Sequence, residues 1–178
     1  IFGPYFVVGA IFSGIAALII AMLIIRKVHH LEDFLKPVHF HNLGTLLLAM
    51  TLIWTYFTFA EYLTGFYGNE PEEMKVFWSK FNGPYAPYFW AMVVCNFAIP
   101  IAALSYRKTH TIARTLIASV FICVGMWLER FIIVVPTLAN PRLDYGAGKY
   151  LPTWVEFGET AGCFALFILF YLLFTKFF

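Results

Sequence analysis

Five long apolar runs, separated by polar stretches, organise the chain: roughly Phe2–Ile25, Phe40–Phe66, Tyr85–Tyr106, Ile112–Val135 and Trp154–Phe177. An α-helix needs about 20 apolar residues to cross a hydrocarbon core, and each run supplies them. Their apolar positions do not alternate with polar ones, which excludes the strands of a closed transmembrane barrel. An open sheet would leave unpaired backbone groups facing lipid. The pattern therefore predicts an all-α fold, a polytopic transmembrane helix bundle of about five spans, with residues 1–178 as a single bundle.

The polar stretches differ in character. Arg26–Pro37 is short and charged and reads as a candidate surface helix, whereas Tyr67–Pro84 reads as a polar, acidic loop. Arg107–Thr111 is a tight basic turn, and Thr137–Pro152 holds Pro141, Gly146, Gly148 and Pro152, the composition of an irregular loop. Tyr85, Tyr88, Trp90 and Trp154 mark span ends in the manner of an interfacial aromatic belt. In the first run Gly9, Ser13, Ala17 and Ala21 recur every four residues, a stripe that lets helices approach closely.

Composition agrees with lipid as the solvent. The chain is 61% hydrophobic and 20% aromatic but only 12% charged, with mean hydropathy +0.78. Soluble domains carry about a quarter charged residues. The net charge of +2 and the lack of interleaved basic and aromatic residues speak against nucleic-acid binding. The apolar run that opens the chain has no basic leader and no small-residue cleavage site, unlike a signal peptide. The expectation is that the chain is a fragment of a longer subunit.

Basic residues orient the spans. Arg26, Lys27, Lys36, Arg107, Lys108, Arg114 and Lys176 fall on one side, against Lys75, Lys80, Arg142 and Lys149 on the other. The richer side belongs in the cytoplasm, which places the N-terminus outside. Glu61, Glu129, Arg130, Glu156 and Glu159 then lie in the outer third of the membrane. Ionisable groups at such depth are costly and usually face a bundle interior or water. Trp54, Thr58, Glu61 and Gly65 share one face of the second span, Glu156, Glu159, Thr160 and Cys163 share a face of the fifth, and Gly125 leaves room one turn below Glu129. These groups are candidates for a proton path, a quinone pocket or an ion site. The bland alternative is an interhelical hydrogen-bond network with Arg130 neutralising carboxylates. For Glu156 that alternative is strengthened, because a carboxylate in a first turn complements the helix dipole.

The histidines narrow the chemistry. His29, His30, His39, His41 and His110 all fall on the cytoplasmic side, whereas a membrane haem needs axial ligands at depth on facing helices. His39 and His41, two residues apart, point to different faces of a helix and make a poor metal pair. They are candidate proton relays at the inner surface. Cys95, Cys123 and Cys163 lie far apart within apolar runs, without metal or cluster spacing, and read as small apolar filler. No cofactor is expected to be bound by this segment.

Four strings carry a more specific likeness: PYFVVGAIFSG at Pro4–Gly14, FNGPYAPYFWAMVVCN at Phe81–Asn96, GMWLERFIIV at Gly125–Val134 and LPTWVE at Leu151–Glu156. In this order, on five apolar helices, they resemble the NrfD-like, polysulfide-reductase-type integral membrane subunit of alternative complex III. The resemblance covers the chain from about Phe2 to Phe178 and fits that subunit's C-terminal half, a four-helix bundle plus one extra helix. It implies a respiratory-chain complex for quinol oxidation, a quinol:cytochrome c oxidoreductase in the inner membrane of a bacterium. Its partners would be an iron–sulfur subunit, multihaem c-type cytochromes and other membrane subunits, so that haem c and iron–sulfur clusters sit outside this chain and menaquinone or another quinone is the substrate. The family's quinol pocket lies mainly in a first bundle, and the second is proposed to help proton translocation. By that resemblance Glu61, Glu129 and Arg130, with Glu156 and Glu159 behind them, are path residues rather than quinol ligands.

Two other functions compete. A secondary transporter would use Glu61, Glu129 and Arg130 as a substrate or ion site, but favours interrupted helices with midplane sites, and here the helices read as continuous apart from Pro100. A passive membrane anchor would use the same polar groups only for packing.

Overall fold

The computed structural model describes residues 2–105, 111–139 and 153–177. The tight basic turn with Arg107, Lys108 and His110 lies outside the described residues. So does most of the Pro- and Gly-rich loop, including Arg142 and Lys149. The described residues are helical with intervening turns, and the chain divides into two units, Ile1–Asp144 and Tyr145–Phe178. Five helical stretches are long and apolar enough to cross a membrane: Gly3–Val28, Pro37–Gly68, Ala86–Leu104, Ile112–Ala139 and Trp154–Phe177. The all-α, five-span architecture read from the sequence is the one observed, and the chain is a multi-pass membrane protein.

In the first unit, α1 (Phe2–Val28) ends where Arg26 and Lys27 complement the negative end of the helix dipole. His30 then turns left-handed at φ 51°, and the Leu31 N–H returns to the Arg26 carbonyl at 3.2 Å. That is a Schellman stop. α2 (Pro37–Gly68) starts with Pro37 in the first turn, where a missing N–H costs nothing. It closes on Asn69 at φ 45°, whose N–H bonds the Gly65 carbonyl at 3.3 Å. At 32 residues it is about 48 Å long, well beyond the roughly 30 Å hydrocarbon core.

Two expectations change here. The charged stretch after α1 forms turns rather than a surface helix, and the helix lies instead in the stretch expected to be a loop, as α3 (Pro71–Phe81). Pro71 opens it, and Met74, Phe77 and Phe81 repeat at helical spacing, giving a one-sided apolar face. Phe77 stacks on Phe81 at 4.6 Å, and both meet Tyr62 of α2 edge-on. The first linker offers Leu31, Phe34 and Leu35 but too few residues for a comparable face.

The third span is not one continuous α-helix. α4 (Ala86–Val93) runs into a π-helical turn (Val94–Ala98) and then α5 (Ile99–Leu104). The Ile99 N–H donates to the Val94 carbonyl five residues back. Pro100 follows at once and cannot donate to the Asn96 carbonyl, so the wide turn falls where the regular ladder would break. α6 (Ile112–Ala139) continues through Pro136, four residues past the end read from the sequence.

α1 packs on α2 and α6, while α4, the π turn and α5 pack on α6. The core includes Phe12, Ile19, Leu47, Trp54, Met92, Ile122 and Ile132, with Phe12 and Trp54 stacked 6.3 Å apart. The buried stripe of α1 is Tyr5, Gly9, Phe12, Ala16 and Ile19. Of the expected small-residue stripe only Gly9 is fully inside, because the larger side chains on the neighbouring face bury more apolar area. Val7, Leu18, Leu52, Phe59 and Val124 point outward, as lipid-facing positions do.

In the second unit, α7 (Trp154–Phe177) carries Phe164, Phe167, Phe170 and Phe174 along one side, all of them exposed.

Candidate functional site

Most buried polar side chains of the four-span unit look after themselves. Thr51, Thr58, Thr115 and Ser119 donate to carbonyls four residues back on their own helices, at 2.8–3.4 Å. Back-bonding of this kind removes the cost of a hydroxyl in an apolar interior. Glu129 and Asn96 are different, since neither side chain bonds to its own helix.

Glu129 is 2% exposed on the core face of α6. The Tyr5 hydroxyl of α1 donates to its Oε1, and the Trp54 indole Nε1–H of α2 donates to its Oε2 at 3.3 Å. Three helices therefore converge on one carboxyl group, each of whose oxygens accepts one donor. Thr58, one turn beyond Trp54, stands beside Tyr5. Trp54 faces Glu129 because the helical repeat that buries Leu47, Thr51 and Thr58 also turns it inward.

Arg130 follows Glu129 in sequence but occupies another face. Its guanidinium lies 4.3 Å from the centroid of the Phe6 ring, a cation–π contact. It passes over Gly9, where a Cβ would stand 3.1 Å from Nη2, so Gly9 provides the space for it. Its Nη1 is buried and has no hydrogen-bond partner among the described residues.

Glu61 is half-buried on the same face of α2 as Trp54 and Thr58. It is within electrostatic reach of Tyr5, Tyr62, Glu129 and Lys80. Lys80, on α3, lies over the Tyr62 ring at 5.9 Å. Burial pushes the Lys80 ammonium below its usual range, and Glu61 opposes the shift. The result is a graded arrangement: Glu129 inside, Glu61 shallower, and Lys80 on the helix that borders Tyr62 and Phe89.

On α7, Glu156 Oε2 accepts the Thr153 backbone N–H at 3.1 Å, and the Glu156 carbonyl accepts from Thr160 at 2.8 Å. The first bond is the return half of a capping box. Glu159 is exposed and makes no hydrogen bond among the described residues. At the opposite end of the four-span unit from Glu129, His39 borders a cavity of about 380 Å³ with Met22, Leu35 and Asn42. His41 borders one of about 390 Å³ with Phe40, Thr111 and Thr115. The two cavities share no lining residue.

Sequence reading singled out Glu61, Glu129 and Arg130, and the fold brings the first two to one end of the same unit with Arg130 beside them. It missed Tyr5 and Asn96. The room foreseen beside Gly125 holds the Asn96 side chain, whose Cγ would be 2.7 Å from a Cβ at Gly125. Asn96 is fully buried, its Nδ2 donates to Met126 Sδ at 3.6 Å, and its Oδ1 has no partner among the described residues. An orphaned buried acceptor costs about 1–3 kcal/mol. A lone amide four residues before Pro100 in an apolar span was the available signal.

A four-helix membrane unit with a carboxyl group held by aromatic donors at one end defines a class, the polytopic subunits that put polar chemistry inside a bilayer. The family described as Polysulphide reductase, NrfD matches residues 1–141, and the chain belongs to that family. The match covers the four candidate spans of the first unit and ends before α7. Members of the family are membrane subunits of quinone-interacting oxidoreductase complexes and typically partner with iron–sulfur and other redox subunits. A search of curated proteins gave no match.

Proposed function

We propose that this chain is the proton-conducting C-terminal half of the membrane subunit of an alternative-complex-III-type quinol:cytochrome c oxidoreductase in a bacterial inner membrane. The observation that carries the reading is the burial of Glu129 between Tyr5 and Trp54 inside an NrfD-family bundle. Quinol oxidation releases protons as well as electrons. Haem c and iron–sulfur clusters in partner subunits take the electrons, menaquinol or another quinol supplies them, and this chain binds no cofactor of its own. Glu129 takes up a proton and passes it toward Glu61 and the outer surface, while Arg130 biases Glu129 electrostatically. Glu156 and Glu159 are secondary members, and His39 and His41 exchange protons at the inner face.

Glu129→Gln in the intact complex tests this. Gln keeps an acceptor for Tyr5 or Trp54 but cannot ionise. The complex is expected to assemble with its haems in place while quinol turnover or the coupled proton release falls about 10²–10⁴-fold, the contribution of a positioned proton-transfer group. Full turnover in an assembled complex rejects the role. Loss of subunits instead identifies a packing role, since breaking a buried charged partnership costs about 3–5 kcal/mol.

The interrupted third span favours a second reading, secondary transport, because transporters build midplane sites at broken helices. Haem c absorbance that co-purifies with the chain supports the oxidoreductase and counts against the transporter.

A further inference from the structure

The two donors that hold Glu129 are not chemically alike. The Trp54 indole N–H on Oε2 is a donor only, with no lone pair to receive a proton. The Tyr5 hydroxyl on Oε1 both donates and accepts. A hydroxyl can take a proton on its oxygen while its own proton leaves on the other side, and an indole cannot. Arg130 offers no alternative, since a guanidinium does not give up its proton in a protein and this one lies against Phe6. Tyr5 is buried, and beside it stands the Thr58 hydroxyl of α2. Thr58 donates to the Trp54 carbonyl at 2.9 Å, which leaves its oxygen able to accept. Three residues further along the same face of α2 is Glu61, a neighbour of Thr58 by helical spacing and within electrostatic reach of Tyr5. Hydroxyl groups thus run from the buried carboxyl group toward the shallower one.

We propose that Tyr5 is the proton exit from Glu129, with Thr58 as the next relay toward Glu61, while Trp54 only holds the carboxyl group in place. A proton leaving the Glu129 carboxyl group binds the Tyr5 oxygen as the Tyr5 hydroxyl proton passes to the Thr58 oxygen. Thr58 turns from the Trp54 carbonyl and gives its own proton to the Glu61 carboxylate. Each hydroxyl gains one proton and loses one, so neither becomes charged. Glu129 ends one proton poorer and Glu61 one proton richer. This route rests on the proton-carrying reading of Glu129.

The test compares the two donors in the intact complex. Tyr5→Phe is expected to slow quinol turnover and the coupled proton release about 10²-fold or more, the contribution of a proton-transfer group. Its solvent deuterium isotope effect should grow, because proton transfer becomes the slow step. Trp54→Phe should slow turnover by less than about 10-fold, below that contribution, with little change in the isotope effect. A purely structural role predicts the reverse order, since Trp54→Phe also shrinks the ring stacked on Phe12. Thr58→Val keeps the side-chain shape and removes a hydroxyl that bonds its own helix. It should slow turnover and raise the isotope effect as Tyr5→Phe does, and Thr58→Ser should restore both. Equal losses in Tyr5→Phe and Trp54→Phe, or full turnover in Thr58→Val, overturn the proposal. If Tyr5→Phe does not assemble, the contrast between Thr58→Val and Thr58→Ser decides. Full turnover in Glu129→Gln rejects the proton role of Glu129 itself, whereas a slow Glu129→Gln beside a fast Tyr5→Phe rejects the relay alone.

Discussion

Glu129 on α6 and Glu156 on α7 are both carboxylates set in apolar helices, and they are satisfied in opposite ways. Glu156 bonds the Thr153 N–H within its own first turn at 3.1 Å. Glu129 has no such local donor, because it stands mid-helix where every backbone N–H is already used. Its partners come from α1 and α2. A carboxylate near a helix start can be settled by a few neighbouring residues, whereas one in a helix interior requires a tertiary arrangement. Only the second kind ties its chemistry to the folded bundle.

The contrast is broken or sharpened by mutation. The largest stability effect is expected at Glu129's donors. Tyr5→Phe removes one donor and keeps the ring, whereas Trp54→Phe removes the other and leaves a smaller ring to stack on Phe12. Hydrogen bonds to charged groups contribute about 1.5–3 kcal/mol, so each variant should lower the thermal midpoint of the purified complex. Because the two donors share one acceptor group, the double variant should deviate from additivity. A cycle that adds cleanly would argue against a shared carboxyl group.

The effect at Glu156 should be smaller. Glu156→Ala removes the return bond of a capping box, worth about 0.3–1.5 kcal/mol, and should fray the start of α7 with a far smaller loss of quinol turnover than Glu129→Gln. Hydrogen exchange at the Thr153 and Val155 amides reads the fraying directly. A turnover loss comparable to that of Glu129→Gln would make Glu156 an equal member of the proton path and erase the distinction.

The spans were legible from the sequence because lipid imposes a length and a polarity that few alternatives satisfy. Glu129 and Glu61 stood out for the same reason, since a carboxylate inside an apolar run is expensive wherever it sits. Their partners were not legible. Tyr5 reads as one more aromatic near a span end, and only the packing of α1 against α6 gives it a carboxylate to bond. Asn96 was visible as a polar residue inside a span, but its place in the fold comes from the π turn and from Gly125, far away in sequence. α3 was the opposite case. Its Met74, Phe77 and Phe81 carry a helical repeat behind Pro71, and the acidic residues Glu70, Glu72 and Glu73 obscured it.

In the proposed mechanism Glu129 changes protonation as quinol is oxidised. Redox-induced infrared difference spectroscopy on the intact complex measures this most directly. A carboxyl C=O band should appear or shift with quinol addition, move in deuterated buffer, and be absent from Glu129→Gln. The same band, unaltered in Glu129→Gln, would contradict it.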